Sequence, residues 1–186
     1  MQVPAALHLC RLGYTYLDDI SDYNPDTNIL TGIFLRSLRR LNPELDETGS
    51  HQMLDKIVGM LRNDDLGREF YTLLSANSGL KLVDFENADN NEWHVTTEFT
   101  CENSDTGDSF RPDITCFVNG LPLAFIEVKK PNNHDGILAE RDRINRRMSN
   151  RAFRRFINIT QLMIFSNNQE YDNDNRVPIQ GAFYCC

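Results

Sequence analysis

The chain has 186 residues, 40% of them hydrophobic, and a formal net charge of −8 at pH 7. That length allows one domain with a proper core and is too short for two large ones. The acidic balance excludes a generally sticky nucleic-acid binder, so any DNA contact must come from a local basic patch or from a partner that holds the DNA.

The N-terminus, "MQVPAALHLCRLGYTYLDD", has no basic start and only a short apolar run, which makes it a poor signal peptide. No stretch approaches the roughly 20 apolar residues that span a bilayer, so no membrane partner is expected. Cys10, Cys101, Cys116, Cys185 and Cys186 are scattered, without CxxC spacing. They read as free cytosolic thiols, and the expected location is cytoplasmic. His8, His51, His94 and His134 form no HExxH motif.

In chain order, "TNILTGIFLRSLRRLNPEL" places Ile29, Ile33, Phe34, Leu38 and Leu41 at helical spacing, with Asp26 or Thr27 as the cap and Pro43 as the stop. "SHQMLDKIVGMLRN" predicts a second helix and "DLGREFYTLLSAN" a short third, closed by Asn-Ser-Gly at 77–79. The period then becomes two. Trp93, Val95, Thr97, Phe99 and Cys101 alternate with polar residues, as in one half-buried strand. "FRPDITCFV" and "LPLAFIEVKK" predict a hairpin about Asn119-Gly120. An arginine-rich helix over "GILAERDRINRRMSNRAFRRFIN" follows, then a buried strand "QLMIFSN", an acidic loop at 167–175 and a last strand in "VPIQGAFYCC". This order predicts an α/β fold: a mixed central sheet with an antiparallel meander, flanked by helices. The ending on "FYCC", straight after a strand, raises the expectation of an N-terminal piece of a longer protein.

The hairpin carries the chemistry. Charges inside a sheet are costly unless paired or bound to a metal. Glu127 and Lys129 share one face of their strand, about 7 Å apart along it; Lys130 points to the other. Asp113 joins them only if the register breaks. With a strict two-residue turn, Asp113 faces Ile126 and lies on the wrong side. A three-residue loop with Gly120 as a left-handed bulge brings it opposite Phe125, beside Glu127. A bulge elsewhere in either strand does the same, but Gly120 is the expected place. Asp113 and Glu127 could then hold a hard divalent cation. Lys129 could orient or help activate a water, or offset charge in the transition state. These are the parts of phosphodiester hydrolysis. The bland alternative is a salt bridge on a solvated sheet face.

Arg141, Arg143, Arg146, Arg147, Arg151, Arg154 and Arg155 fall within fifteen residues of this acidic chain. They read as phosphate contacts that position DNA; alternatively they form a solvated helix face or an interface. Phe153, Phe156 and Ile157 read as core. No G-x-x-x-x-G-K-[ST] occurs, so no ATP site is expected here.

"RPDITCFVNGLPLAFIEVKKPNN" resembles the PD-(D/E)xK nuclease core. More narrowly, it resembles the nuclease domain at the N-terminus of the restriction (R) subunit of type I restriction–modification enzymes. "GILAERDRINRRMSNRAFRRFINITQLMIFSNNQEY", "LGYTYL" and "GAFY" extend the resemblance over most of the chain. It implies residues 1–186 as one restriction-endonuclease-like domain, ahead of an ATP-driven motor in the same polypeptide. It also implies Mg2+, with Mn2+ as a substitute, and double-stranded DNA as substrate, cut within a complex that includes methylation and specificity subunits. By motif match, Asp113 and Glu127 carry over as metal ligands and Lys129 as the catalytic lysine. Two features depart from the wider pattern. The first core helix has no glutamate after Asp26, and the helix after the lysine has no glutamine, "QLMIF" being a strand. These departures leave room for a degenerate docking or scaffold domain, or for a stand-alone repair nuclease or junction resolvase.

Overall fold

The computed structural model of the protein describes residues 2–76, 78–102, 109–130, 136–166 and 182–185. The predicted loop at 167–175, residues 176–181 of the last predicted strand and Asn77 of the third helix's predicted stop lie outside them. The fold is mixed α/β. Six strands form one sheet: β1 (Thr15–Tyr16), β2 (Trp93–Thr97), β5 (Ile114–Val118), β6 (Leu121–Val128), β7 (Leu162–Ser166) and β8 (Ala182–Cys185), in that spatial order. β3 (Cys101–Glu102) and β4 (Ser109–Phe110) form a small antiparallel pair beside it. Pairings β1–β2 and β6–β7 are parallel; the others in the large sheet are antiparallel. Two of the sequence expectations thus hold: a mixed sheet and an antiparallel meander through β2, β5 and β6.

Helices cover both faces. α1 (Gln2–Arg11) lies against Val95, Ile114, Cys116, Ala124, Ile126 and Val128. α5 (Gly136–Met148) and α6 (Arg154–Ile159) cover the opposite side, where Phe125, Met163 and Phe165 meet Ile144, Phe153, Phe156 and Ile157. Phe153, Phe156 and Ile157 are buried, as the spacing predicts. Each fully buried aromatic of this layer contributes roughly 2 kcal/mol by removal from water. A third cluster packs α2 (Thr31–Leu41), α3 (Glu47–Met60) and α4 (Arg68–Leu74) against the turn end of the hairpin, through Phe34, Ile57, Phe70 and Leu121.

Three local expectations need correction. The first long helix begins at Thr31, not after Asp26 or Thr27; its N-cap, Leu30, has no side-chain cap, and Asp22 accepts from Gly32 N–H instead. The strand expected through Cys101 stops at Thr97, because Glu98 takes φ +54° and ends the alternation, with its N–H on Asp113 O. The arginine helix is two helices. Asn150 breaks it and caps a 3-10 turn, Arg151–Phe153, by accepting from Ala152 N–H.

Candidate active site

The hairpin turn is a two-residue turn after all. Val118 pairs with Leu121, and Asn119 and Gly120 both take positive φ, +51° and +80°. The register break lies further along. Phe117 pairs with Pro122 but Cys116 with Ala124, so Leu123 is the extra residue. Proline has no N–H to give the ladder, and a bulge beside it is the expected accommodation. The expected bulge at Gly120 is therefore replaced by one at Pro122–Leu123, with the same consequence for the faces. Ile114 pairs with Ile126, so one further step sets Asp113 opposite Glu127. The Asp113 charge acts on Glu127.

Glu127 is 2% exposed, and its Oε1 has no hydrogen-bond partner among the described residues. Its other oxygen lies 3.8 Å from Lys129 Nζ. Burial, then the charges of Glu140 and Asp113, push the Glu127 carboxyl up to about 7, against the pull of Lys129 and Arg143. Asp113 is fixed from two sides. Its Oδ2 accepts from Val128 N–H at 2.7 Å and its Oδ1 from Gln2 Nε2 of α1 at 2.7 Å. Lys129 N–H donates to Ser166 O, extending the β6–β7 pairing through the lysine. Among the described residues, no group of three or more His, Cys, Asp or Glu is placed to share one metal ion.

Two residues escape sequence reading. Glu140 of α5 is 5% exposed, and its Oε2 sits 2.7 Å from Lys129 Nζ. Arg143, one turn on, forms an ion pair with its other oxygen, without the alignment of a hydrogen bond. The only available signal was an acid at i, i+3 and i, i+4 spacing to Arg143 and the buried Ile144. Gln2, the second group, had no local signal at all.

The seven arginines do not form one stripe. Arg143 and Arg147 face the carboxylates. Arg147 stacks over Phe110, 4.1 Å from the ring centroid, where burial and then Arg143 lower its pKa. Arg141 is exposed and pairs with Asp142; Arg146 is exposed. Arg151, Arg154 and Arg155 stand apart beyond the Asn150 break. Arg154 pairs with Asp64 at 3.0 Å and Arg155 with Asp26 at 3.2 Å.

The chain is similar to known proteins. A family model described as "Type I restriction enzyme R protein N terminus" matches residues 1–172. The putative type I restriction enzyme MjaIXP endonuclease subunit of Methanocaldococcus jannaschii is 31% identical over 155 residues, covering 70% of this chain and 15% of that protein. The type I restriction enzyme HindI endonuclease subunit of Haemophilus influenzae is 32% identical over 114 residues, covering 51% of this chain and 10% of that protein. The chain thus spans less than a sixth of the length of these relatives.

Proposed function

Because this chain belongs to the family of type I restriction enzyme R protein N termini, we propose that it is the endonuclease domain of such an R subunit and hydrolyses phosphodiester bonds in double-stranded DNA. The observation that carries the reading is Glu127: a nearly fully buried carboxylate with an unpartnered oxygen, beside Asp113 and the Lys129 ammonium, at the end of an apolar strand. A buried carboxylate left without a partner costs folding energy, and a cation would remove that cost.

The residues fit a hard divalent cation, Mg2+ or in its place Mn2+. Such ions take oxygen ligands, often one or two carboxylates, and keep several waters. Asp113 and Glu127 would hold it. When bound, the ion lowers the pKa of a water and stabilises charge on a phosphate oxygen. The chain's own groups do the rest. Gln2 and Val128 N–H hold Asp113 in place. Lys129 offers its ammonium to the developing charge of the phosphate or orients the attacking water. Glu140 acts as a positioning residue, fixing the lysine by a short ion pair. In this reading the domain precedes an ATP-driven motor in the same polypeptide and works in a complex with methylation and specificity subunits in the cytoplasm.

The competing reading, a non-catalytic docking domain, draws on Asp113, both of whose oxygens already accept hydrogen bonds within the fold. Cleavage by the complete enzyme separates the two. Glu127→Ala and Lys129→Ala should each abolish double-strand cleavage while the complex still assembles; cleavage at the native rate would sink the nuclease reading.

A further inference from the structure

Beyond the carboxylate site, the side of the molecule where α6 begins holds a cavity of about 320 Å³. Arg62, Arg151, Arg154 and Arg155 line it, with Asp26 as the one carboxylate among the described residues. Arg155 is paired with Asp26, and Arg154 with Asp64 at the rim. Arg62 and Arg151 have no carboxylate partner among the described residues, so among these the cavity keeps uncompensated positive charge in a protein of net charge −8. Arg154 also donates to Arg62 O, which ties the two walls together. Phe153 and Phe156 form an apolar floor. Asn28, 2% exposed, lines the same space, and its Oδ1 has no hydrogen-bond partner among the described residues. A second cavity of about 180 Å³ shares Arg151 and Arg154 and is also lined by Asp64 and Asn150.

A cleft lined by one sign of charge focuses the field and draws in counter-ions, here anions. Guanidinium forks match phosphate oxygens with two parallel hydrogen bonds. The aromatic floor and the unsatisfied carboxamide fit the sugar or base that such a phosphate carries, and the volume is that of a small-ligand site. We infer that this cavity is a second, metal-independent nucleic-acid site, which takes one nucleoside phosphate between Arg62, Arg151, Arg154 and Arg155. The phosphate comes either from a DNA strand lying across the domain or from a free mononucleotide. The choice of nucleic acid rests on the nuclease reading; the anion site itself does not.

The test is made in EDTA on the 186-residue chain carrying Glu127→Ala, so that metal binding and cleavage play no part. A fluorescent 20-base-pair duplex is titrated by anisotropy at several salt concentrations, with unlabelled dAMP as competitor. The double variant Arg62→Ala/Arg151→Ala should weaken duplex binding at least about tenfold and reduce the salt slope by about 1, for the one phosphate the cavity holds. Neither arginine makes an ion pair within the described residues, so the melting temperature should hold. Arg141→Ala, already paired with Asp142, should change affinity less than twofold. Displacement of the duplex by dAMP identifies the mononucleotide as able to fill the cavity; duplex binding indifferent to dAMP assigns the site to the strand. Equal affinity and equal salt slope in the double variant, or no binding of either probe by the parent chain, would overturn the inference. Loss of cleavage with this binding intact would speak only about the carboxylate site.

Discussion

Two carboxylates, the half-buried Glu92 and the buried Glu127, stand near opposite ends of the β5–β6 hairpin and behave in opposite ways. Glu92 flanks the turn. Burial opposes its ionisation, but Arg36, Ser37 and Arg40 outweigh this, and its pKa is lowered. The neighbouring Asn119, 1% exposed, is fully engaged: it accepts from Glu92 N–H and donates to Leu82 O and Asn91 Oδ1. Glu127, at the far end, is more deeply buried, less well paired and raised to about 7. One end of the hairpin is thus built for stability, with Glu92 and Asn119 both answered. The other keeps a carboxylate with one oxygen unanswered among the described residues, the condition in which a protein can bind a cation.

The contrast is sharpened first at the site. Glu127→Ala in the complete enzyme should lower double-strand cleavage by about 1,000-fold or more, measured by single-turnover gel assay. Glu92→Ala should leave the rate of the folded enzyme nearly unchanged.

At the turn the effect should instead be on folding. Gly120 takes φ +80°, and a Cβ there would lie 2.7 Å from both Leu30 O and Phe34 N. Gly120→Ala should therefore destabilise the chain by about 3 kcal/mol, read by urea unfolding.

The third break concerns pH. Glu127 is raised in the folded state above its ordinary value of 4.5, so the folded protein binds the extra proton between pH 4.5 and about 7. Its stabilising contribution is full below that window and is lost as pH rises through it. Without metal, the chain should lose about 3 kcal/mol of stability between pH 4.5 and 8 from this group. Glu127→Gln should remove that slope, and Mn2+ should restore stability at pH 8 only to the parent chain.

The smallest effect should come from Glu140. Glu140→Ala frees Lys129 and should lower the cleavage rate about tenfold at unchanged affinity for DNA. Glu140→Gln keeps an oxygen for Lys129 Nζ and should recover most of that rate. Equal loss in both variants would point to the charge and not the grip.

What the sequence discloses follows from how local each cause is. The alternation of Phe125, Glu127 and Lys129 on β6 is a property of one strand, so their common face could be read directly. The need for a register break was legible from the hairpin length, but its place was not. Pro122 carries the signal for the break, whereas a glycine suits a left-handed bulge and draws the expectation to Gly120. The turn uses Gly120 and Asn119 as a paired positive-φ turn instead. Glu140 and Gln2 reach the site from helices on opposite sides of the sheet, and no spacing along the chain encodes that. The division of the arginines rests on Asn150, a recognisable cap whose effect was outweighed by the helical run around it.

The central claim is most directly tested by soaking crystals of the chain in Mn2+ and collecting anomalous diffraction. The account predicts a peak bonded to Glu127 Oε1 and to Asp113, with Lys129 still on Glu140, and no peak in Glu127→Gln crystals. Crystals of the parent chain with no manganese between these carboxylates, at concentrations that saturate ordinary Mg2+ sites, would contradict it.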